Sequence, residues 1–290
     1  MKKLFGRTQH YFSLVKFSHT VFAMPFALAG YFIGATQPRY GFSLRTFMLV
    51  LACMVFARSA AMGFNRWADV RFDSLNPRTA VREIPAGKIT PRQAMIFVIA
   101  SSLLFIASAG LLNRLTLFLS PVALLVILGY SYTKRFTPLC HLVLGLGLSL
   151  APIGAYIAVT GSFALLPLIY SVIVLTWVSG FDIIYSLQDD EFDRETGLYS
   201  IPAVMSRGKA LGVSAALHLI TVVMVAVAGI SGSAGYIYWT GAAVFIVMLV
   251  YQHLIVRPDD LSRVNMAFGT TNGIAGVIFG LAVVLDLLLL

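Results

Sequence analysis

Charge is scarce in this sequence. Asp, Glu, Lys and Arg make up 11% of 290 residues, and 59% are hydrophobic; soluble domains carry roughly 25% charged residues. That balance excludes an ordinary soluble domain. It predicts a polytopic membrane protein, of a length that suits one helical bundle over residues 1–290 rather than several domains. Cysteine is nearly absent. Cys53 and Cys140 are too few for a disulfide framework, have no metal-ligand spacing, and are expected to be small packing residues. No His/Cys constellation indicates zinc, and there is neither a Gly-x-Ser-x-Gly motif nor a glycine-rich phosphate loop with a lysine. Low-complexity segments and fixed-period repeats are also missing. Acids are few, 12 against 21 Lys and Arg, giving a net charge of +9. In so apolar a chain that excess reports membrane topology, and no nucleic-acid partner is expected. The basic start, Met1-Lys-Lys-Leu-Phe-Gly-Arg7, leads into an apolar run with no small-residue cleavage site, so the run is expected to be a retained helix.

What is abundant is apolar sequence of membrane-spanning length, about 20 residues per span. Nine candidate helices follow, near 14–36, 43–64, 93–112, 116–133, 139–159, 163–186, 209–231, 235–256 and 264–290. The segment at 116–133 is the shortest, separated from its predecessor only by Asn113-Arg114. Basic residues distribute unevenly over the connections. Seventeen of the 21 fall on one set of alternate connections, while Arg39, Arg45 and Arg114 fall on the other and Arg58 lies inside the second helix. The positive-inside rule then predicts a cytoplasmic N-terminus and an external C-terminus in the inner (cytoplasmic) membrane.

The acids cluster. Nine of the 12 lie in or just after two stretches, both at the predicted cytoplasmic ends of apolar helices. The first is Asn65-Arg-Trp-Ala-Asp69-Val-Arg-Phe-Asp73, whose Asn65, Asp69 and Asp73 share a helical face at i, i+4, i+8. The second is Asp182-Ile-Ile-Tyr185-Ser186-Leu-Gln-Asp189-Asp190-Glu191-Phe-Asp193. Its offsets of seven and eleven bring Asp182, Asp189 and Asp193 back to nearly one azimuth. Carboxylates this close to the membrane are costly unless they face a wet cavity. Two such faces suit Mg²⁺, which is held by one or two carboxylates plus substrate phosphate. Basic candidates for a phosphate group stand nearby, Lys134 and Arg135 at the end of the fourth helix and Arg82 after the first acidic stretch. For Arg66, Arg71, Arg92, Arg207 and Lys209 the topology signal is a sufficient reading. Arg58 sits on the face of Asn65, about 10 Å deeper. Its expected partner is a site carboxylate or the carboxylate of an aromatic acid, the alternative being a structural ion pair. His19 is expected to be packed in its helix, and Gly145, Gly147, Gly161, Gly180 and Gly276 to mark close helix packing.

These motifs carry a resemblance. Asn65-x-x-x-Asp69-x-x-x-Asp73, followed by Arg78-Thr-Ala-x-Arg82-x-x-Pro85-x-Gly87, resembles the first signature of the UbiA family of intramembrane aromatic prenyltransferases. Asp182-x-x-Tyr185-Ser186-x-x-Asp189-x-x-x-Asp193, with Gly197-Leu-Tyr-Ser200-Ile-Pro202 behind it, resembles the second. Tyr130-x-x-x-Lys134-Arg135 is similar to the basic motif between them. The resemblance implies an all-α bundle of nine transmembrane helices around a central cavity. It implies Mg²⁺-dependent transfer of a polyprenyl chain from polyprenyl diphosphate to an aromatic acid such as 4-hydroxybenzoate, in respiratory quinone biosynthesis. It further implies that Asn65, Asp69, Asp73, Asp189 and Asp193 hold the Mg²⁺–diphosphate, with Asp182 among the catalytic acids. Arg58, Arg82, Tyr130, Lys134, Arg135 and Tyr185 join Asn65 as substrate-binding residues. Arg58 looks more like the branch that prenylates 1,4-dihydroxy-6-naphthoate for menaquinone, and Tyr199 stands where Lys or His is common in the family; both departures bear on the acceptor ring and not on the reaction.

The implied chemistry is departure of the diphosphate, attack by an electron-rich ring on the allylic cation, and removal of a ring proton by Asp182 or Asp189. Water must be excluded, and the cavity must open to membrane lipid to take a polyprenyl tail. A cation transporter or channel is the competing class. It predicts acids staggered through the membrane depth, whereas these gather at one side.

Overall fold

A computed structural model describes Ser13, Leu14 and Met24–Leu289. Residues 15–23 of the first predicted span, with His19, lie outside the described residues. The elements are α1 (Met24–Ala35), α2 (Leu44–Ala68), α3 (Val70–Leu75), α4 (Pro91–Leu112), α5 (Arg114–Thr133), α6 (Cys140–Thr160) and α7 (Leu165–Ser186). A 3₁₀ turn (Leu187–Asp189), α8 (Asp190–Glu195), α9 (Ile201–Val204), α10 (Arg207–Ser231), α11 (Tyr236–Ile255), a π-helical segment (Met266–Thr271) and α12 (Asn272–Leu289) complete the order. There is no strand among the described residues. Among the described residues eight helices are long and apolar enough to cross a membrane, and the apolar α1 stands where the first predicted span ends. The protein is an all-helical integral membrane protein.

Local chemistry sets the helix boundaries. Ser43 caps α2 by accepting from the Thr46 amide. Thr90 and Gln93 form a capping box on α4, with Pro91 at its first position. A second capping box, Asn113 with Thr116, separates α4 from α5 with a single residue. This is why the short 116–133 segment is a full helix after all. Asn113 also donates to the carbonyls of Ile157 (2.8 Å) and Ala158 (3.2 Å), tying that junction to the end of α6. At the same end of the bundle, buried Asp286 of α12 accepts from the amides of Gly235 (2.8 Å) and Tyr238 (3.0 Å). An acid inside an apolar helix is tolerated there because it satisfies the free donors of α11.

The main core lies among α1, α6, α7, α10, α11 and α12, around the fully buried Trp177, Phe26, Phe245 and Phe279. Trp177 Nε1 donates to Asn272 Oδ1 (2.9 Å), and Asn272 in turn donates to Gln252 (3.1 Å). Such internally satisfied polar groups hold membrane helices together where the hydrophobic effect offers little between them. Small residues set the closest approaches. A Cβ at Gly145 would strike the Leu175 carbonyl, at Gly180 the His218 ring and at Gly276 the Trp177 ring, as expected of packing glycines. Gly147 and Gly161 differ from expectation. Gly147 has ordinary room, and Gly161 ends α6 at a φ of 68°, where glycine is favoured for its backbone freedom. The tightest glycine is Gly30 of α1, whose missing Cβ is replaced by the Pro152 carbonyl of α6. Gly30→Ala is therefore expected to cost about 1–3 kcal/mol through overpacking, read as a lower melting temperature in detergent. An unchanged melting temperature would mean that α1 and α6 stand farther apart.

Candidate active site

The two acidic stretches fold differently from the uninterrupted helices their spacing predicts. α2 ends at Ala68, and Asp69 (φ −91°, ψ 5°) breaks the helix before α3 resumes at Val70. Backbone bonds from Asp69 N to Asn65 O and from Asp73 N to Asp69 O nevertheless keep Asn65, Asp69 and Asp73 one turn apart. In the second stretch α7 gives way at Leu187 to the 3₁₀ turn and then to α8. The tighter turn shifts azimuths from their α-helical values. Even so, Asp182, Asp189 and Asp193 all reach one cavity.

That cavity, about 620 Å³, lies between α2, α4 and α5 on one side and α6 and α7 on the other. Its polar end holds Asn65, Asp69, Asp73, Arg82, Lys134, Tyr185, Asp189 and Asp193; Tyr130, Asp182 and Arg58 also line it. The remote end is apolar, with Val50, Met54, Leu112, Leu119 and Ile157 on its wall. Val122 and Phe163 are on this wall too, yet 55% and 56% exposed, so the cavity meets the outer surface of the bundle between helices.

Ion pairs order the polar end. Asp69, 3% exposed, accepts from Asn65 Nδ2 (3.1 Å), with Lys134 Nζ and Arg135 Nη2 each 3.5 Å from its carboxylate. Burial pushes the Asp69 carboxyl above the ordinary range, with Lys134 pulling the other way. Arg82 Nη1 donates to Asp73 Oδ1 at 2.6 Å. Asp189 accepts from Asn76 Nδ2 (3.0 Å) and from both Nε (3.0 Å) and Nη2 of Arg78. Arg78 Nη1 also donates to the Tyr185 hydroxyl (2.9 Å), whose ring stacks on Phe268 at 4.1 Å. Phe268 is carried on the π-helical segment, the kind of local irregularity that recurs at functional sites.

Most sequence-predicted residues thus converge. Arg135 does not reach the cavity wall. Its Nη2 donates to the Ala68 carbonyl (2.6 Å) and its guanidinium stacks over Tyr132, so it braces the break between α2 and α3. Arg66, read from sequence as a topology charge, is a correction: it is 4% exposed and lines the cavity. Sequence reasoning also missed Asn76, Arg78 and His141 as site residues. Arg78 stood inside the first signature, and that was its available signal. Nothing in the sequence ties Asn76 to Asp189 or His141 to Asp182. The remaining acids of the second stretch point elsewhere, with Arg207 holding Asp190 at 2.8 and 2.9 Å and Glu191 at 3.1 Å.

Among the described residues no three His, Cys, Asp or Glu side chains converge tightly enough to cage a metal on their own. Mg²⁺ does not need such a cage, since it keeps waters and is completed by substrate phosphate. Asp69 Oδ1 and Asp73 Oδ2 are buried and accept no hydrogen bond among the described residues. Unsatisfied carboxylate oxygens on a cavity wall fit a cation bridged to an anionic ligand.

The sequence pattern of the UbiA prenyltransferase family matches residues 23–280. The 4-hydroxybenzoate octaprenyltransferase of Aeromonas salmonicida is 31% identical over 251 residues, which cover 85% of this chain and 84% of that protein. The apo structure of a UbiA homolog from Aeropyrum pernix K1 superposes with a TM-score of 0.84 at 36% identity, covering 92% of this chain and 98% of that one. A UbiA homolog from Archaeoglobus fulgidus, solved bound to GPP and Mg²⁺, shares the fold with a TM-score of 0.73 at 21% identity, over 95% of this chain and 99% of that one.

Proposed function

Because this chain belongs to the UbiA prenyltransferase family, we propose that it transfers a polyprenyl chain from polyprenyl diphosphate to the ring of 4-hydroxybenzoate in ubiquinone biosynthesis. The observation that carries this reading is a single cavity with carboxylates and cations at one end and an apolar tunnel at the other. A diphosphate and a polyprenyl tail need those two environments at once. Asn65, Asp69, Asp73, Asp189 and Asp193 would hold Mg²⁺ together with the diphosphate. When bound, Mg²⁺ neutralises the charge that develops on the leaving group. Lys134, Arg82 and Arg78 flank the same place, and their ion pairs with Asp69, Asp73 and Asp189 keep them aimed at it. The polyprenyl tail lies along the apolar wall and leaves toward lipid past Val122 and Phe163. That wall also keeps water from the allylic cation. Arg58, deeper than Asn65, takes the carboxylate of the acceptor. The charge distribution supports an inner-membrane orientation with the N-terminus and the polar end of the cavity facing the cytoplasm.

The test is direct. Purified protein given a polyprenyl diphosphate and 4-hydroxybenzoate should release diphosphate and yield a prenylated acid by mass spectrometry, and EDTA should abolish both. Offering 1,4-dihydroxy-6-naphthoate in parallel decides the acceptor, since both acids carry a carboxylate that Arg58 could meet. Product only from the naphthoate would move the protein to menaquinone synthesis. Turnover unaffected by EDTA would remove the metal from the reading.

A further inference from the structure

His141, in the first turn of α6, is 2% exposed and lines the cavity. Its Nδ1 stands 2.7 Å from Asp182 Oδ2. Its Nε2 stands 3.2 Å from the amide nitrogen of Ile201, at the start of α9. A backbone N–H can only donate, so Nε2 must be the accepting nitrogen and Nδ1 must carry the proton. A second proton on Nε2 would point donor at donor. The loop carrying Ile201 therefore fixes the tautomer, and the tautomer directs an N–H at Asp182.

Asp182 differs in this from its neighbours. Asp69, Asp73 and Asp189 each face a lysine or arginine. Asp182 faces an imidazole, and one oxygen only is engaged. Asp182 is thus a carboxylate on the cavity wall with one oxygen anchored and the other free of any hydrogen-bond partner among the described residues.

Resting on the prenyl-transfer reading above, we propose that His141 is a positioning residue that anchors Asp182 Oδ2 through its Nδ1–H, so that Asp182 Oδ1 removes the ring proton of the prenylated acceptor. In that step the C–O bond of the prenyl diphosphate breaks with its electron pair passing to the diphosphate oxygen. A ring π pair forms the new C–C bond, and the C–H pair at the same carbon returns to the ring. The proton passes to Asp182 Oδ1 and from there to water as product leaves. His141 neither gains nor loses a proton.

The experiment compares His141→Ala, His141→Gln and His141→Asn with the parent. An asparagine amide can place its nitrogen near the imidazole Nδ1 and still donate to Asp182, whereas glutamine reaches toward the Nε2 position. His141→Ala and His141→Gln should lower kcat by about 10- to 100-fold, a share of what general-base catalysis supplies, with KM for the prenyl diphosphate little changed. His141→Asn should recover much of that loss. With acceptor deuterated ortho to the hydroxyl, the slow variants should show a primary isotope effect on kcat that the parent lacks, which loss of folding cannot produce. An unchanged kcat in His141→Ala, or a slow variant with no isotope effect and no rescue by asparagine, would overturn the proposal. A second arm is independent of the acceptor: ¹⁵N NMR of the parent in detergent should show the Nδ1–H tautomer at His141. Finding the Nε2–H form or an imidazolium would also overturn it. A parent inactive on 4-hydroxybenzoate would refute the acceptor assignment alone, while the NMR arm still decides His141.

Discussion

Asp69→Asn and Asp73→Asn are each expected to lower kcat by at least about 100-fold, the scale on which loss of one preorganised electrostatic contact to a transition state is felt. Asp189→Asn and Asp193→Asn should behave alike. Asparagine keeps the volume and one accepting oxygen of each side chain but loses the charge and turns the other oxygen into a donor, so melting is measured beside turnover to separate a folding loss from a catalytic one. That matters because Asp73 is tied to Arg82 and Asp189 to Arg78, and truncating one partner of a buried pair is itself destabilising. The four acids are asked to act as one unit on one ligand. The double variant Asp69→Asn/Asp73→Asn should therefore be scarcely worse than either single one. Diphosphate release and prenylated product are measured together across an Mg²⁺ titration. Full turnover in any two of the single variants at ordinary Mg²⁺ would sink the shared metal–diphosphate site.

How far these acids could be read from sequence depends on which physical signal each one leaves. Apolar length and alternating charge bias reach the bundle, because the membrane imposes both on every span. Periodicity reaches the two acidic faces, since Asn65, Asp69 and Asp73 stay one turn apart even across the break at Asp69. Pairing leaves no such trace. Asp189 meets Arg78 and Asn76, and Asp182 meets His141, across long sequence separations. Those partners follow from how α3, α6 and α7 pack. Arg66 and Arg135 show the same limit from the other side. Both lie where the charge bias is strong, yet one turns into the cavity wall and the other braces a helix break. A count of positive charges cannot separate those roles from topology. Asp286 went unread from sequence, because its partners, the amides of Gly235 and Tyr238, lie about fifty residues away.

Arg58 gives the sharpest contrast between two readings of one residue, a structural ion pair or a binding group. The structural pair required a carboxylate beside it. Among the described residues Arg58 forms no salt bridge, and its buried Nε–H donates to no partner. A buried charge without a counterion is costly to the protein that carries it. Such a residue is retained against stability when a ligand supplies the missing charge, and a carboxylate on the acceptor ring matches the guanidinium fork with two parallel hydrogen bonds. Two measurements should then move in opposite directions. Arg58→Met should raise the melting temperature of the substrate-free protein, because an uncompensated charge is replaced by an apolar chain of similar length. It should also raise KM for 4-hydroxybenzoate by roughly 30-fold or more, the lower bound for truncating one side of a buried charge pair. KM for the prenyl diphosphate should change little, since the diphosphate sits among Asp69, Asp73 and Lys134 at the polar end. Arg58→Lys should fall between, keeping the charge but losing the fork. A variant that melts lower while both KM values stay at parent level would return Arg58 to a structural role and leave the acceptor carboxylate to another part of the wall.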